Sequence, residues 1–599
     1  MRRLLWATLA AALALPAAAQ PDVDPLVGLW RYETRADPAA HGPLTLTLRG
    51  EKWLASMGGR IAGGVPVRGE LRVTFPGNQG ELRIPAPHQD GELHGFWVQP
   101  ATPAAGPAQA YATPVTLRRL APGAWRGEVT PLPRSFTLWL KVTRDADGTL
   151  IAAFRNPEFN ANAGRVQFVA SHAGEAVTFE SRPQPGRKAV VLKAMLDDGR
   201  LRMAYPPLPG EIALARPTPA EAAAFDPRPP GGAPYAYRPP VALKDGWTTA
   251  RAASVGLDEA GLATLIRAQA AADPAAARPQ LIHALLVARH GKLVLDEYFF
   301  GFDAKTLHDT RSAAKTFNSV MLGAVMRGDP AFGPQSRIYD VLAGRGPFAH
   351  PDPRKAQITL ANLMTHTSGL ACDDNDDASP GNEETLQRQT GQPDWLKYTL
   401  DLPQAHDPGA RYAYCSANAN LVAGALSART GTWLPALFDR TVARPLQFGP
   451  YAWDLTPTGD GYGGGGVYVR PRDLLKIGQA YLDGGVWHGR RIVSAAWVKA
   501  STAPRVEITP QTTGLSAEDF SNVYIRARDG YAWHLNRLKV GDRTFDDYEA
   551  TGNGGQLLIV VPAVDVAVVI TGGNYGQGGV WLRWRDDIVA RGVLGAIVR

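Results

Sequence analysis

Thr310-Arg311-Ser312-Ala313-Ala314-Lys315-Thr316-Phe317 is the stretch on which the reading of this chain turns. Ala313, Ala314 and Lys315 are good helix formers, and Ser312 stands where a helix would begin. Phe317, Val320, Met321, Ala324 and Val325 then recur at helical spacing, which predicts one buried face. On such a helix Ser312 and Lys315 are i and i+3, one turn apart on a shared face. The pair supplies a hydroxyl nucleophile with an amine close enough to take its proton. The N-terminal end of the helix favours negative charge on the serine oxygen. A lone Ser-x-x-Lys also occurs by chance on surface helices, so its meaning depends on the rest of the chain.

At 599 residues the chain exceeds what one core organises, and two or three domains are expected. Hydrophobic residues make up 45% and charged residues 20%, as in soluble globular proteins. The formal net charge is +7, yet no Lys or Arg run is dense enough to mark a nucleic-acid footprint. Met1-Arg2-Arg3, an apolar run from Leu4 to Ala19 and the Ala17-Ala18-Ala19 end read as a secretory signal peptide. The run is too short for a membrane span, and no cysteine follows it to carry a lipid. A periplasmic or secreted product beginning near Gln20 is expected, without a transmembrane anchor. Cys372 and Cys415 are the two cysteines, and in an oxidising compartment they could form one bridge.

From Asp22 to about Arg216 short alternating runs are divided by Gly, Pro and Asn. Pro43–Leu48, Gly69–Phe75 and Phe136–Val142 are examples. This pattern predicts half-buried antiparallel strands in a β-sandwich or barrel. Val27-Gly28-Leu29-Trp30-Arg31 resembles the Gly-x-Trp start of lipocalin-type barrels. Residues 217–247 are rich in Pro and Ala and read as a semi-extended linker. Beyond it, Leu257–Ala271 reads as an amphipathic helix. Ile282–Arg289 and Lys292–Phe299 form a hairpin pattern about His290-Gly291. Helices are expected at Leu360–His366, Asn418–Thr430 and Arg472–Asp483, a second hairpin at Gln556–Val561 and Val564–Thr571, and a closing helix at Gly578–Gly592. Strands at both ends with helices between predict one antiparallel sheet packed against helices.

Three further segments bear on the chemistry. Ile358-Thr359-Leu360-Ala361-Asn362-Leu363-Met364-Thr365-His366-Thr367-Ser368-Gly369-Leu370 is long and distinctive. Pro408–Asn420 contains Tyr412, Tyr414-Cys415-Ser416 and Asn418. Gly552-Asn553-Gly554-Gly555-Gln556 leads into the apolar run Leu557–Val561. With Ser312-Ala313-Ala314-Lys315, they make residues 280–599 resemble the serine β-lactamase and penicillin-binding-protein superfamily, in the branch of class C β-lactamases, D-Ala-D-Ala carboxypeptidases and related esterases.

The resemblance implies an α+β fold: a C-terminal β-lactamase-like domain with an antiparallel sheet flanked by helices plus a helical subdomain. An N-terminal all-β sandwich or barrel precedes it. The expected division is 1–19 signal peptide, 20–216 β-rich accessory domain, 217–247 linker and 248–599 serine hydrolase. The resemblance also implies catalytic roles for Ser312, Lys315 and Tyr414: a neutral Lys315 deprotonates Ser312, and Tyr414 passes a proton to the leaving group. Which of Lys315 and Tyr414 is the base stays open. Ser416 replaces the usual asparagine, with Asn418 as a candidate substitute. Asn553, Gly554 and Gly555 are aligned with the third box, and the backbone N–H groups of Ser312 and Gln556 with the oxyanion hole. Asn553 carries no positive charge to grip a substrate carboxylate, which favours a neutral ester or amide. In this fold Cys372 and Cys415 flank the site, which implies a disulfide; a cysteine nucleophile is the alternative. His366 is expected to be structural, and Asp373–Asp377 a solvated loop at the rim. His308, His406 and His534 lack metal-ligand spacing, and no cofactor is called for. The reading is an exported serine hydrolase acting through an acyl-enzyme on a small-molecule or peptide-like ester or amide, with no nucleic-acid partner. The alternatives are a penicillin- or cell-wall-binding module with little turnover, or a β-lactamase or D-Ala-D-Ala carboxypeptidase.

Overall fold

The computed structural model describes residues 24–598 except 37–39, 68, 86–90, 102–108, 159–165, 183–187, 207 and 524–527. The expected signal peptide at 1–19 lies outside the described residues.

The N-terminal half is two antiparallel barrels, one inserted into the other. Strands Gly42–Arg49, Lys52–Met57, Arg60–Val67, Glu70–Phe75, Gly80–Pro85, Leu93–Gln99, Ala110–Ala121 (β1) and Ala124–Val129 pair in succession. The last strand pairs with both β1 and the first, which closes the ring. Every second residue points inward, so Leu44, Leu46, Leu71, Val73, Leu82, Ile84 and Trp125 fill the interior. This barrel sits in the connection between two neighbouring strands of the other. Gly28–Ala36 pairs with Arg134–Arg144, Trp30 opposite Leu140, and six strands follow to Glu211–Leu214. Paired backbone bonds between Arg31 and Ala215 close that second ring. Trp30 is buried, its Nε1 donates to the Leu26 carbonyl at 2.9 Å, and the Arg216 guanidinium caps its ring at 3.7 Å. The expected β-rich region is thus two barrels rather than a sandwich.

Residues 217–247 cross to the second half as a pinned strap. Tyr237 donates to the Val294 carbonyl at 2.8 Å, and Asp245 pairs with buried Arg472 at 2.7 Å. The second half is built on a nine-stranded sheet. Its centre comprises Ile282–Arg289 (β2) and Lys292–Tyr298 (β3), and, from the end of the chain, Arg543–Gly552 (β7), Gln556–Val561 (β8) and Val566–Gly572 (β9), in the order β3-β2-β9-β8-β7. β8 and β9 are apolar and buried on both faces. Leu558, Val560 and Val569 face the helices Lys315–Met326 (α1), Ser416–Thr430 (α2) and Pro471–Leu482 (α3). Leu557, Ile559 and Val568 face Glu259–Ala270 and the C-terminal helical turns. Continuous burial, not alternation, follows from covering both faces.

One feature joins the halves. β1 of the inner barrel pairs with Ala452–Leu455 (β5), Trp453 opposite Ala112. β5 pairs with Val467–Val469 (β6), and β6 with His308–Asp309 (β4), which ends just before the turn that carries Ser312. The sheet of the accessory barrel therefore runs without a break to residue 309. Among the described residues, no helix is long and apolar enough to cross a membrane.

Candidate active site

After β4 the chain turns sharply. Arg311 adopts a left-handed conformation, φ 49°, and Arg311–Ala314 form a 3-10 turn before α1 begins at Lys315. In a 3-10 turn residues i and i+3 eclipse each other, so Lys315 stands directly over Ser312. Lys315 Nζ donates to Ser312 Oγ at 2.9 Å and to the Gly464 carbonyl at 2.6 Å. A left-handed arginine costs about 1–3 kcal/mol, so contacts must hold it. Its N–H donates to Asp309 Oδ1 at 2.8 Å, its guanidinium pairs with Asp309 at 2.9 Å, and it lies 5.0 Å over the Tyr575 ring.

The floor beneath Lys315 is Gly463-Gly464-Gly465. Asn318 Nδ2 donates to the Gly463 carbonyl at 2.9 Å, and Asn420 accepts its N–H at 3.1 Å. A Cβ on Gly463 would fall 2.4 Å from that of Ala423, so only glycine lets this loop approach α2. Lys315 is 5% exposed, and the Tyr414 ring centroid is 5.1 Å from its Nζ. Burial alone would lower the lysine's proton affinity, but Tyr414, Glu383 and Asp374 outweigh it and raise it above its ordinary value. These groups favour the protonated lysine, whereas the sequence reading expects a neutral amine.

The second segment separates its two tyrosines. Tyr412 is buried and donates to Asp529 at 2.9 Å, which makes it the structural one. Tyr414 faces Lys315, with the His366 ring 4.6 Å from its own. His366 Nδ1 accepts the Cys415 N–H at 3.2 Å, a structural role as expected. Cys372 and Cys415 form a disulfide, Cα to Cα 5.7 Å. Ser416 donates through both its N–H and its Oγ to Asp374 Oδ2, each at 2.7 Å. Asp374 Oδ1 accepts the Glu383 N–H at 3.0 Å, and Glu383 Oε1 accepts the Tyr462 hydroxyl at 2.5 Å. Burial first, then the Glu383 charge, push the Asp374 carboxyl up to about 7, against Lys315 and Ser416, which lower it. The acidic loop was expected to be solvated; Asn375, Asp376 and Asp377 are, but Asp374 turns inward. The available signal was the missing amide, because a buried serine in its place needs its own partner. Asn418 is buried on α2, two residues beyond Ser416.

The glycine-rich turn divides differently from the aligned motif. Gly552, at the end of β7, packs on the turn that carries Ser312: a Cβ there would lie 2.3 Å from the Thr310 carbonyl and 3.0 Å from Arg311 Cβ. Gly554 and Gly555, both with positive φ, instead pack under Tyr575 and Trp584. Asn553 accepts the Gly576 N–H at 2.8 Å. Gln556 is buried, and its side chain bonds the Gly572 carbonyl at 2.7 Å. The structure thus brings Ser312, Lys315, Tyr414 and Ser416 together, while Gln556 turns its side chain into the sheet.

The histidines scatter. His308 meets His283 at 2.9 Å, and burial pushes His308 down to about 4. His534 pairs with Asp529 at 2.7 Å, and His406 meets Arg411 at 3.1 Å. Among the described residues, no group of three His, Cys, Asp or Glu could hold a metal ion. A cavity of about 720 Å3 opens between the barrels and the second half, lined by Arg134, Glu158, Phe300, Lys305, Asp309 and Tyr575 among others. It lies behind the nucleophile's turn.

Residues 269–572 match the family model described as Beta-lactamase. A 6-aminohexanoate-dimer hydrolase of Paenarthrobacter ureafaciens is 28% identical over 233 residues, 37% of this chain and 57% of that protein. The D-alanyl-D-alanine-carboxypeptidase/endopeptidase AmpH of Escherichia coli (strain K12) is 30% identical over 144 residues, 21% of this chain and 37% of that protein. The match therefore spans less than two thirds of either curated relative. A solved family VIII carboxylesterase superposes with a TM-score of 0.42 at 16% identity, covering 57% of this chain and 98% of its own.

Proposed function

This chain belongs to the beta-lactamase family, and on that premise we propose that it is an exported serine hydrolase working through an acyl-enzyme, with neutral amides or esters as substrates. The observation that carries the reading is Lys315 Nζ at 2.9 Å from Ser312 Oγ, on a turn that eclipses the two side chains.

Lys315 must first lose a proton to the groups around it. It then takes the Ser312 proton as Oγ attacks the carbonyl carbon. The carbonyl oxygen becomes an oxyanion beside the Ser312 N–H and the β7 end at Gly552. Tyr414, against Lys315, returns a proton to the leaving nitrogen or oxygen as the bond breaks. Water adds to the acyl-enzyme by the reverse route and frees Ser312.

Two observations support a neutral substrate. Asn553 supplies no charge at the third box. Arg311, the cation beside the nucleophile, is already balanced by Asp309 at 2.9 Å. The relative named a 6-aminohexanoate-dimer hydrolase fits the amide part of this class, although an aminohexanoate dimer itself carries a carboxylate. The carboxypeptidase relative keeps a carboxylate-bearing substrate as the second reading.

Turnover of p-nitrophenyl acetate and of a p-nitroanilide by the parent, Ser312→Ala and Lys315→Ala tests the mechanism. Both variants should lose at least about 1,000-fold in kcat/KM. Equal turnover by Ser312→Ala and the parent would sink it. A fluorescent penicillin that acylates Ser312 faster than the neutral esters do would favour the second reading.

A further inference from the structure

The residues around Lys315 close a ring of contacts that the sequence motifs do not contain. Lys315 reaches the Gly464 carbonyl, and the same loop carries Tyr462 two residues earlier. Tyr462 donates to Glu383, Glu383 donates its N–H to Asp374, and Asp374 accepts both bonds from Ser416. Ser416 follows Tyr414 by two residues, and Tyr414 lies against Lys315. The disulfide pins this ring from outside, because Cys372 and Cys415 each stand within two residues of Asp374 or Ser416.

Two carboxyl groups, Asp374 and Glu383, thus sit in the ring that closes around Lys315. The groups facing the pair are Lys315 from α1, Tyr414 and Ser416 from the second box, and Tyr462 with Gln387 beyond Glu383. Asp373, the neighbour on the same loop, turns instead to the Asn375 N–H at 2.9 Å.

We propose that Asp374 is a positioning residue for this site, and that with Glu383 it sets the pH at which Lys315 releases its proton and Ser312 becomes a nucleophile. This rests on the reading of Ser312 as the nucleophile. Charge and shape can be separated, since an amide at residue 374 still accepts from Ser416 but carries no charge. Opposite charge nearby favours a charged lysine, and removing it lets the lysine deprotonate at lower pH.

The test is the rate of Ser312 modification by a fluorophosphonate, followed from pH 5 to 11.5, which needs no knowledge of the substrate. In the parent the rate is still rising at pH 10, because Lys315 holds its proton above its ordinary value. In Asp374→Asn and in Glu383→Gln the midpoint should move to lower pH by about one unit. Below the parent midpoint, labelling is then about tenfold faster than in the parent. Each variant is checked for folding first, and if one fails to fold, the other carries the test. A folded variant that keeps the parent's midpoint, at whatever amplitude, overturns the proposal. Ser312→Ala runs alongside: labelling of that variant at the parent's rate would instead defeat the nucleophile assignment, a separate failure.

Discussion

Gly552 shows how one missing atom can position a catalytic turn. Its α-carbon lies against the Thr310 carbonyl with no room for a side chain. Gly552→Ala should push the turn and slow fluorophosphonate labelling of Ser312 at least about tenfold, with a melting temperature lowered by a few degrees. Unchanged labelling would mean that β7 yields and the turn does not depend on it. Asp374 carries a second residue-scale prediction, on stability. Its folded-state value near 7 is above the ordinary carboxylate value of 3.8, so the fold prefers the neutral acid. This group's contribution is full below about pH 4 and is lost as pH rises through 7. The melting temperature of Asp374→Asn relative to the parent should therefore rise between pH 4.5 and pH 8. A flat difference would place no raised carboxyl at residue 374. Ser312, Lys315 and Tyr414 were legible in the sequence as motif members. Asp374 and Gly552 were not, because their partners are 42 residues away for Ser416 and on the far strand β7 for Thr310.

At the level of elements, the disulfide ties the loop after the His366 signature to the start of α2. It spans 43 residues and brings the Asp374 loop to Ser416. Cys372→Ser with Cys415→Ser should cost about 2–4 kcal/mol of stability, read as a lower denaturant midpoint. It should also loosen the Asp374 contact and broaden the pH dependence of labelling. No change on adding reductant to the parent, with full reduction verified by thiol titration, would remove the bridge from the account. The hairpin β2–β3 and the pair β8–β9 were legible from apolar runs around turn residues. The closing helix was read as one element over Gly578–Gly592. The structure breaks it into a short α-helix at Gly578–Trp581 and wider turns at Arg585–Val593. Likewise Ser312 lies in a 3-10 turn that begins at Arg311, not at the start of an α-helix. Ala313-Ala314 suits both, and the contacts of Arg311 with Asp309 and Tyr575 decide between them.

Over the whole molecule, the barrels are built into the hydrolase. β1 hands its edge to β5, and through β6 to β4 beside the nucleophile. Phe96 packs edge-on against Trp433 at 5.4 Å, and Arg83 covers the same ring at 4.7 Å. Removing residues 20–216 would expose the β5 edge and these rings. The truncated protein should be aggregation-prone and should not label at Ser312, as judged by size-exclusion chromatography and fluorophosphonate labelling. A monomeric, fully labelled 217–599 fragment would make the barrels a detachable module. The strap at 217–247 carries the same message: buried Arg472 holds Asp245 at 2.7 Å and Asp296 at 2.7 Å, so the segment is fastened rather than free.

The amino-acid sequence by itself determined what local order can encode. It placed Ser312 three residues from Lys315, the strands by alternation, the buried strands by unbroken apolar runs, and the second half in its family. Side-chain periodicity tells which face of an element is buried, because that depends on neighbours along the chain. It does not tell which strand lies alongside, because pairing is settled between residues far apart. Only the tertiary structure therefore decided that Trp30 pairs opposite Leu140 with a whole barrel inserted between them. It likewise turned one aspartate of an acidic loop inward to Ser416, and set the Tyr414 ring against Lys315.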